Sequence, residues 1–356
     1  MDVMISRREF IGKSGLAFGG LLLSAQWNSK LFARRSNREF DSVRFGIMAD
    51  LHLDTKTENG MKMSAHSTAC LKHTVDDLNR EKDLNFVIVL GDLLLDGERE
   101  NAKIVRENLK RLKMPAYVIC GNHDFAPADE SKRRAGFHYL KIDQFVEYFR
   151  DFGYGEEQRR YYAREILPGL RVIGLDACLP EAKTDWGGIL PKAQLQWLDR
   201  QLSENADALN VIFMHHNFVR WGDDELPGGE KEDFCIDNDR EVRRLLAKHR
   251  VPVVFSGHRH IGLNVKTEKD VNYFTVPSIN SYPMRYSVFD ITPEKINWKT
   301  PMVSLPAPVH VEARKNLLAA DWWRNSQYRQ PSVENDKKVL DFYENNKRMI
   351  DELKFS

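Results

Sequence analysis

Five short clusters follow one another along the chain: Asp50-Leu51-His52, Gly91-Asp92, Gly121-Asn122-His123-Asp124, His215-His216 and Gly257-His258-Arg259-His260. Together they offer carboxylate, amide and imidazole ligands enough for two metal ions. Two cations roughly 3.5 to 4 Å apart can share a water, lower its pKa and present hydroxide in line with a phosphorus atom. They also offset charge on the non-bridging oxygens, so the chemistry to which this residue set points is phosphoester hydrolysis.

The spacing sharpens that reading. Asp50 and His52 are two residues apart, so on an extended strand end both side chains face one side and can chelate one ion. His258 and His260 repeat the pattern after Gly257. Asp92 closes the apolar run from Phe86 to Leu90, where an isolated buried carboxylate is expensive. Standing alone it would read as a helix cap or turn residue; bridging two cations would satisfy it. Asn122 and His123 follow another apolar run and place a neutral oxygen ligand beside an imidazole that can serve the reaction, with Gly121 permitting a tight turn. His215 and His216 end the run Val211 to Met214, and strand alternation sends their rings in opposite directions, so one of the two is a primary ligand. Oxygen and nitrogen ligation without thiolate suits Fe, Mn or Zn. A single histidine is more often structural, and His66, His73, His249 and His310 are read that way.

Each cluster comes just after a short apolar run that is bounded by Gly, Asp or His and reads as a buried strand: Val43 to Met48, Phe86 to Leu90, Ala116 to Cys120, Val172 to Leu175, Val211 to Met214 and Val253 to Phe255. Helical patterns lie between several of them, over Ser64 to Glu81, Glu98 to Leu112, Pro191 to Ser203 and Asn238 to His249. This alternation predicts an α/β layered fold, and the C-terminal ends of its strands are where distant ligands gather in one cleft. Shorter strands over Tyr273 to Val276, Arg285 to Ile291 and Ile296 to Lys299 are expected to complete a second sheet. Residues 311–356 form a helical C-terminal extension for which Trp322-Trp323 is the expected docking point. The polar segment 125–160 is a candidate lid, its Arg133, Arg134 and His138 read as exposed helix charges.

The ordered set resembles the calcineurin-like metallophosphoesterases, whose pattern is Asp-x-His, Gly-Asp-x-x-Asp, Gly-Asn-His-Asp/Glu, His and Gly-His-x-His. The likeness spans residues 43–300 and implies a two-sheet sandwich flanked by helices, the four-layer fold of that family. Position by position, it implies that Asp50, His52 and His260 hold one metal, that Asn122, His215 and His258 hold the other, and that Asp92 bridges them. It makes His123 the unmetallated histidine that protonates the leaving oxygen or steadies the transition state. The family's second aspartate lies three residues after the first, whereas Asp96 lies four after Asp92, so Asp124 is expected to orient His123 instead. Asn217 stands where the family commonly has Pro. His216, Asn280 and Arg285 are candidate substrate contacts.

Gly188 to Asp199 and the Gly-Asn-His-Asp form resemble the bacterial cyclic-nucleotide and glycerophosphodiester phosphodiesterase branch. A phosphodiesterase acting on a small molecule is therefore the first expectation and a phosphomonoesterase the alternative. A non-catalytic protein that binds a phosphorylated ligand through its metals is the reading from another class, and retention of His123 argues against it. At 356 residues, 42% hydrophobic and net charge +1, the chain can bury a sizeable core, and its charge argues against a nucleic-acid partner.

The first 33 residues are set apart from the fold. Ser6-Arg7-Arg8-Glu9-Phe10 followed by the apolar run Leu16 to Ala25 resembles a bacterial twin-arginine signal. It implies the twin-arginine export machinery as partner and a periplasmic location or one on the outer face of the inner membrane, with cleavage after Ala25 or Ala33 or retention as an anchor. Cys70, Cys120, Cys178 and Cys235 lack CxxC spacing and are expected to be reduced.

Overall fold

The computed structural model describes residues 23–26, 42–157, 159–178, 187–220, 234–292, 295–320 and 332–344. The expected export signal, apart from Leu23–Gln26, and the Trp322-Trp323 pair lie outside these residues.

In chain order the strands are β1 (Leu23–Gln26), β2 (Val43–Met48), β3 (Phe86–Leu90), β4 (Ala116–Ile119), β5 (Tyr162–Leu167), β6 (Leu170–Leu175), β7 (Leu209–Met214), β8 (Val253–Ser256), β9 (Asn264–Glu268), β10 (Val271–Thr275), β11 (Ser287–Ile291) and β12 (Lys295–Lys299). The longer helices are α1 (Ser67–Arg80), α2 (Arg99–Leu109), α3 (Ile142–Tyr148), α4 (Lys192–Glu204), α5 (Asp239–Lys248), α6 (Ala307–Ala319) and α7 (Val333–Glu344).

Two mixed sheets result, in the orders β1-β12-β11-β2-β3-β4 and β5-β6-β7-β8-β10-β9. Within the first, β2, β3 and β4 are parallel and β11 runs antiparallel to β2; within the second, β6, β7, β8 and β10 are parallel. The strands from the chain's last third divide between the sheets. β10 joins the second as expected, but β11 and β12 cross back to extend the first, so the expectation that all of them complete a second sheet is corrected. Phe289 explains the return, because it packs between Phe45 of β2 (5.7 Å) and Phe255 of β8 (4.7 Å), at the centre of the aromatic layer between the sheets.

Strand alternation builds the layers. In β7, Val211 and Phe213 face the inter-sheet core, while Ile212 and Met214 face Leu195 and Leu198 of α4 and Val242 and Leu246 of α5. Leu71, Val75 and Leu78 of α1 with Ala102, Val105 and Leu109 of α2 join the core on the first sheet's side. Helix, sheet, sheet and helix stack as four layers, the expected sandwich.

One stretch, with a residue inside it, differs from the sequence expectation. The segment 125–160 divides: Phe145, Phe149, Phe152 and Tyr154 are buried in the main core, so its second half is structural packing, whereas residues 125–139 are all exposed or half-buried. Arg134 is no exposed helix charge, for it holds the buried carboxylates of Asp54 and Glu98. Among the described residues no helix is long and apolar enough to cross a membrane.

Candidate metal centre

The parallel strands β2, β3, β7 and β8 end at one edge of the sandwich, and their following residues converge there. Four ligand atoms of Asp50, His52, Asp92 and His260 lie within 4.8 Å of one another, as do three of Asp92, His215 and His258. Asp92 belongs to both groups. His52 Nε2 is 3.0 Å from His260 Nε2 and 3.4 Å from an Asp92 oxygen, and Asp50 is 3.4 Å from His260 Nε2. On the other side, His215 Nε2 stands 3.3 Å from Asp92, 3.0 Å from His258 Nδ1 and 3.1 Å from Asn122 Oδ1.

The backbone that makes this convergence is not extended strand. Asp50, His52, Asp92, His258 and His260 all have positive φ, between 38° and 70°, the left-handed region that costs a non-glycine residue of order 1 kcal/mol or more. Facing of Asp50 with His52, and of His258 with His260, therefore comes from left-handed turns rather than from the strand alternation used to predict it. Buried hydrogen bonds hold those turns. His258 N–H donates to both Asp50 oxygens at 3.0 and 3.1 Å, and His123 N–H donates to Asp92 at 2.9 Å. Asp92 also packs directly on Gly121, where a Cβ would fall 2.2 Å from the Asp92 nitrogen.

Ring orientation is fixed from behind. His215 Nδ1–H donates to the Leu90 carbonyl at 2.8 Å and His260 Nδ1 meets Ser281 Oγ at 3.0 Å, which leaves each Nε2 for the cluster. His216 turns its ring 86° from that of His215 and lies against His258, centroids 4.7 Å apart. It contributes to neither ligand group, as alternation predicts for one member of the pair. Asn217 donates to Ser256 Oγ at 2.6 Å, Thr275 Oγ1 at 3.1 Å and the Gly257 carbonyl at 3.2 Å; in place of Pro, it ties the end of β7 to β8 and β10.

The electrostatics ask for cations. Asp50 and Asp92 are fully or almost fully buried, at a desolvation cost of several kcal/mol per ion unless compensated. Burial pushes the Asp92 carboxyl up, but His215, His123 and His52 together hold it well below the usual carboxylate range. Burial likewise lowers His215, yet Asp92 overrides it and lifts that imidazole to about 9. Burial drives His52 and His258 well down, which keeps their nitrogens neutral and available as ligands. Nitrogens that ligate one ion at about 2.1 Å and subtend a right angle lie about 3 Å apart, the separation His52 shows from His260 and His215 from His258. The donor set fits two cations, one held by Asp50, His52, Asp92 and His260, the other by Asp92, Asn122, His215 and His258.

His123 stands beside the cluster, its ring 5.0 Å from that of His52 and edge-on to it. Its Nδ1–H is directed to the Leu95 carbonyl (2.6 Å) and Asp96 (3.1 Å). Asp124, expected to orient it, does not: the Asp124 carboxylate is buried and accepts from Leu94 N–H at 2.9 Å and Gly121 N–H at 2.8 Å, which holds the turn carrying Asn122. The extra residue before Asp96 is absorbed in the turn after Leu94, and Asp96 reaches the ring. Arg285 is spent elsewhere, donating to the Thr300 carbonyl at 2.5 Å. Asn280 is fully buried one residue before Ser281, its side-chain amide without a hydrogen-bond partner. Sequence reasoning missed Ser281 and Lys62. Nothing in the types or spacing of residues 54–63 marks Lys62, whose ammonium lies 3.3 Å from His123 Nε2.

Comparison with known proteins agrees with this geometry. The chain is 29% identical over 217 residues to the "Probable glycerophosphodiester phosphodiesterase GpdQ" of Arcobacter nitrofigilis, covering 60% of this chain and 70% of that one. It is 21% identical over 272 residues to a "Probable cyclic nucleotide phosphodiesterase" of Fibrobacter succinogenes, covering 76% and 93%. A solved structure of PhoD shares the fold, with a TM-score of 0.51 at 15% identity over 76% of this chain and 68% of that one. The sequence model of the calcineurin-like phosphoesterases matches residues 43–262, and the chain belongs to that family.

Proposed function

We propose that this metal-dependent phosphoesterase is a phosphodiesterase acting on a small molecule. The observation that carries the reading is Asp92, one buried carboxylate shared by two complete ligand groups. A bound cation pair supplies Lewis acidity toward a phosphoryl oxygen and a strong nucleophile from water at neutral pH. The protein's own residues do the rest. His52, His215, His258 and His260 hold ring nitrogens toward the cluster in fixed orientations, and the left-handed turns at His52, His258 and His260 pre-set their positions so that little reorganisation is needed. His123 Nε2 faces the cluster while Asp96 and the Leu95 carbonyl hold its other nitrogen, an arrangement suited to handing a proton to the departing alkoxide. Both relatives described above bear names of diesterases, and the near-neutral net charge of the chain favours a small ester over a polyanionic polymer. The ligand set suits Fe, Mn or Zn.

Turnover of bis-p-nitrophenyl phosphate compared with p-nitrophenyl phosphate, after metal reconstitution, tests the proposal. Faster hydrolysis of the diester supports it, faster hydrolysis of the monoester makes the protein a phosphomonoesterase, and binding without turnover makes it a phospho-ligand binding protein.

The motif Ser6-Arg7-Arg8-Glu9-Phe10 supports a periplasmic site of action through twin-arginine export. Cell fractionation of the full chain against Arg7→Lys/Arg8→Lys tests this, and an unaltered distribution would overturn it.

A further inference from the structure

We propose that Lys62 is a substrate-binding residue, its ammonium joining His123 in holding one oxygen of the phosphoryl group presented to the ligand cluster. The inference rests on the phosphoesterase reading above and adds to it a cation that belongs to the chain itself.

Lys62 is held at the site by its backbone. It forms an isolated antiparallel bridge with Ser281, the residue whose hydroxyl meets His260 Nδ1. On either side, Gly60 N–H donates to the Lys62 carbonyl at 3.0 Å and Met63 N–H to the Asn280 carbonyl at 2.8 Å. The stretch carrying Lys62 is thus bonded to the one that supports a candidate metal ligand, and its side chain starts from a fixed point.

From there the ammonium reaches over the cluster. Among the described residues its one close polar contact is His123 Nε2 at 3.3 Å, and it forms no ion pair. Burial pulls its pKa down against the attraction of Asp92, Asp96, Asp50 and Glu98, and its own charge acts on His52. An ammonium has three N–H donors, and one of them is directed here at the nitrogen from which the proposed reaction delivers its proton. A half-buried lysine with no carboxylate partner among the described residues, beside the histidine of the reaction, is placed for an anion that is supplied from outside.

Phosphate is the anion this site fits. Two groups 3.3 Å apart can both reach one oxygen at ordinary hydrogen-bond lengths of about 2.8 Å. On binding, the Lys62 N–H would turn from His123 Nε2 to that oxygen, a charge-assisted hydrogen bond of the stronger kind. His123 Nε2 would then face the same oxygen without a competing donor.

The test compares wild type, Lys62→Met and Lys62→Arg, each full-length and metal-loaded, with metal content and thermal midpoint measured alongside. Orthophosphate binding by titration is the primary readout, because it needs no turnover; KM and kcat on bis-p-nitrophenyl phosphate are the second. Loss of a hydrogen bond to a charged group corresponds to a weakening of about 10- to 100-fold. We expect Lys62→Met to keep its metals and fold, to lose orthophosphate affinity in that range and to raise KM more than it lowers kcat. Lys62→Arg should recover most of the affinity. Orthophosphate affinity within about twofold of wild type in a metal-loaded Lys62→Met protein would overturn the proposal, as would loss of the metals themselves, which would make Lys62 a support of the centre. If the wild type hydrolyses no phosphoester yet Lys62→Met still weakens orthophosphate binding, the phosphodiesterase reading fails and this one stands.

Discussion

Asp96 lies 3.1 Å from His123 Nδ1, and both side chains are about one-third exposed. Asp124, the next residue after His123, turns the other way and is buried in the turn it braces. The two carboxylates therefore have separable roles. Asp96→Asn should lower kcat about tenfold while leaving the thermal midpoint near that of wild type, because it removes an anion that stabilises the protonated ring in the reaction. Asp124→Ala should instead leave two buried N–H groups unpaired and cost about 2 to 4 kcal/mol of stability. Steady-state kinetics and thermal unfolding on the pair check the assignment; a stability loss confined to Asp96→Asn would reverse it.

Asp92 is shared by both ligand groups, so its loss should be felt twice. Asp92→Asn keeps the shape and removes the charge that His52 and His215 both face. Elemental analysis should find less than one metal per chain, and kcat/KM should fall by about a thousandfold or more. His258→Gln touches one group, and it should leave one metal bound. Equal metal content in the two variants would refute the shared-carboxylate geometry.

Gly121 separates β4 from Asn122 and His123, and its missing side chain is what lets Asp92 approach. A Cβ there would meet the Asp92 nitrogen at 2.2 Å and its carboxylate oxygen at 2.3 Å, with no flexible side-chain end able to give way. Gly121→Ala should cost about 1 to 3 kcal/mol by overpacking and weaken metal retention with it. Chelator challenge followed by residual activity would show the second effect; unchanged resistance would mean that the turn yields without moving Asp92.

The sequence carried the order of the strands and the cluster that each one delivers, because a buried strand must be apolar and its polar terminus must then be purposeful. Phe86 to Leu90 followed by Asp92 is the clearest case. What local pattern could not carry was the conformation of the ligands themselves. Asp50 and His52 look like strand alternation but are left-handed, a state imposed by tertiary bonds such as that from His258 N–H to Asp50. Nor could it place β11 and β12, since short strands pair by the aromatic surface they meet and Phe289 meets Phe45. Lys62 was invisible for a related reason: only its bridge to Ser281, 219 positions away in the chain, brings it to the cluster.

Arg134 gives the surface part of segment 125–160 an electrostatic attachment, and that attachment should be sensitive to pH in one direction. Its guanidinium donates to both Asp54 oxygens at 2.9 Å and also reaches Glu98. Burial pushes the Asp54 carboxyl up, but Arg134, Thr57 and Asn101 override it and hold Asp54 far below the usual carboxylate range. A carboxylate whose folded pKa is depressed adds stability above its unfolded pKa of about 4, and loses it as pH falls from there. Arg134→Met should thus destabilise the protein at pH 7 by about 2 to 3 kcal/mol, less than for a wholly buried pair because Arg134 is partly exposed. The gap from wild type should narrow below about pH 4, where Asp54 takes up a proton in the variant first. Since Asp54 lies two residues after His52, the variant should also bind its metals more weakly. Urea unfolding at pH 7 and near pH 3.5 measures the first effect; a gap that stays constant with pH would mean that Arg134 acts through its packing on Phe137 and not through Asp54.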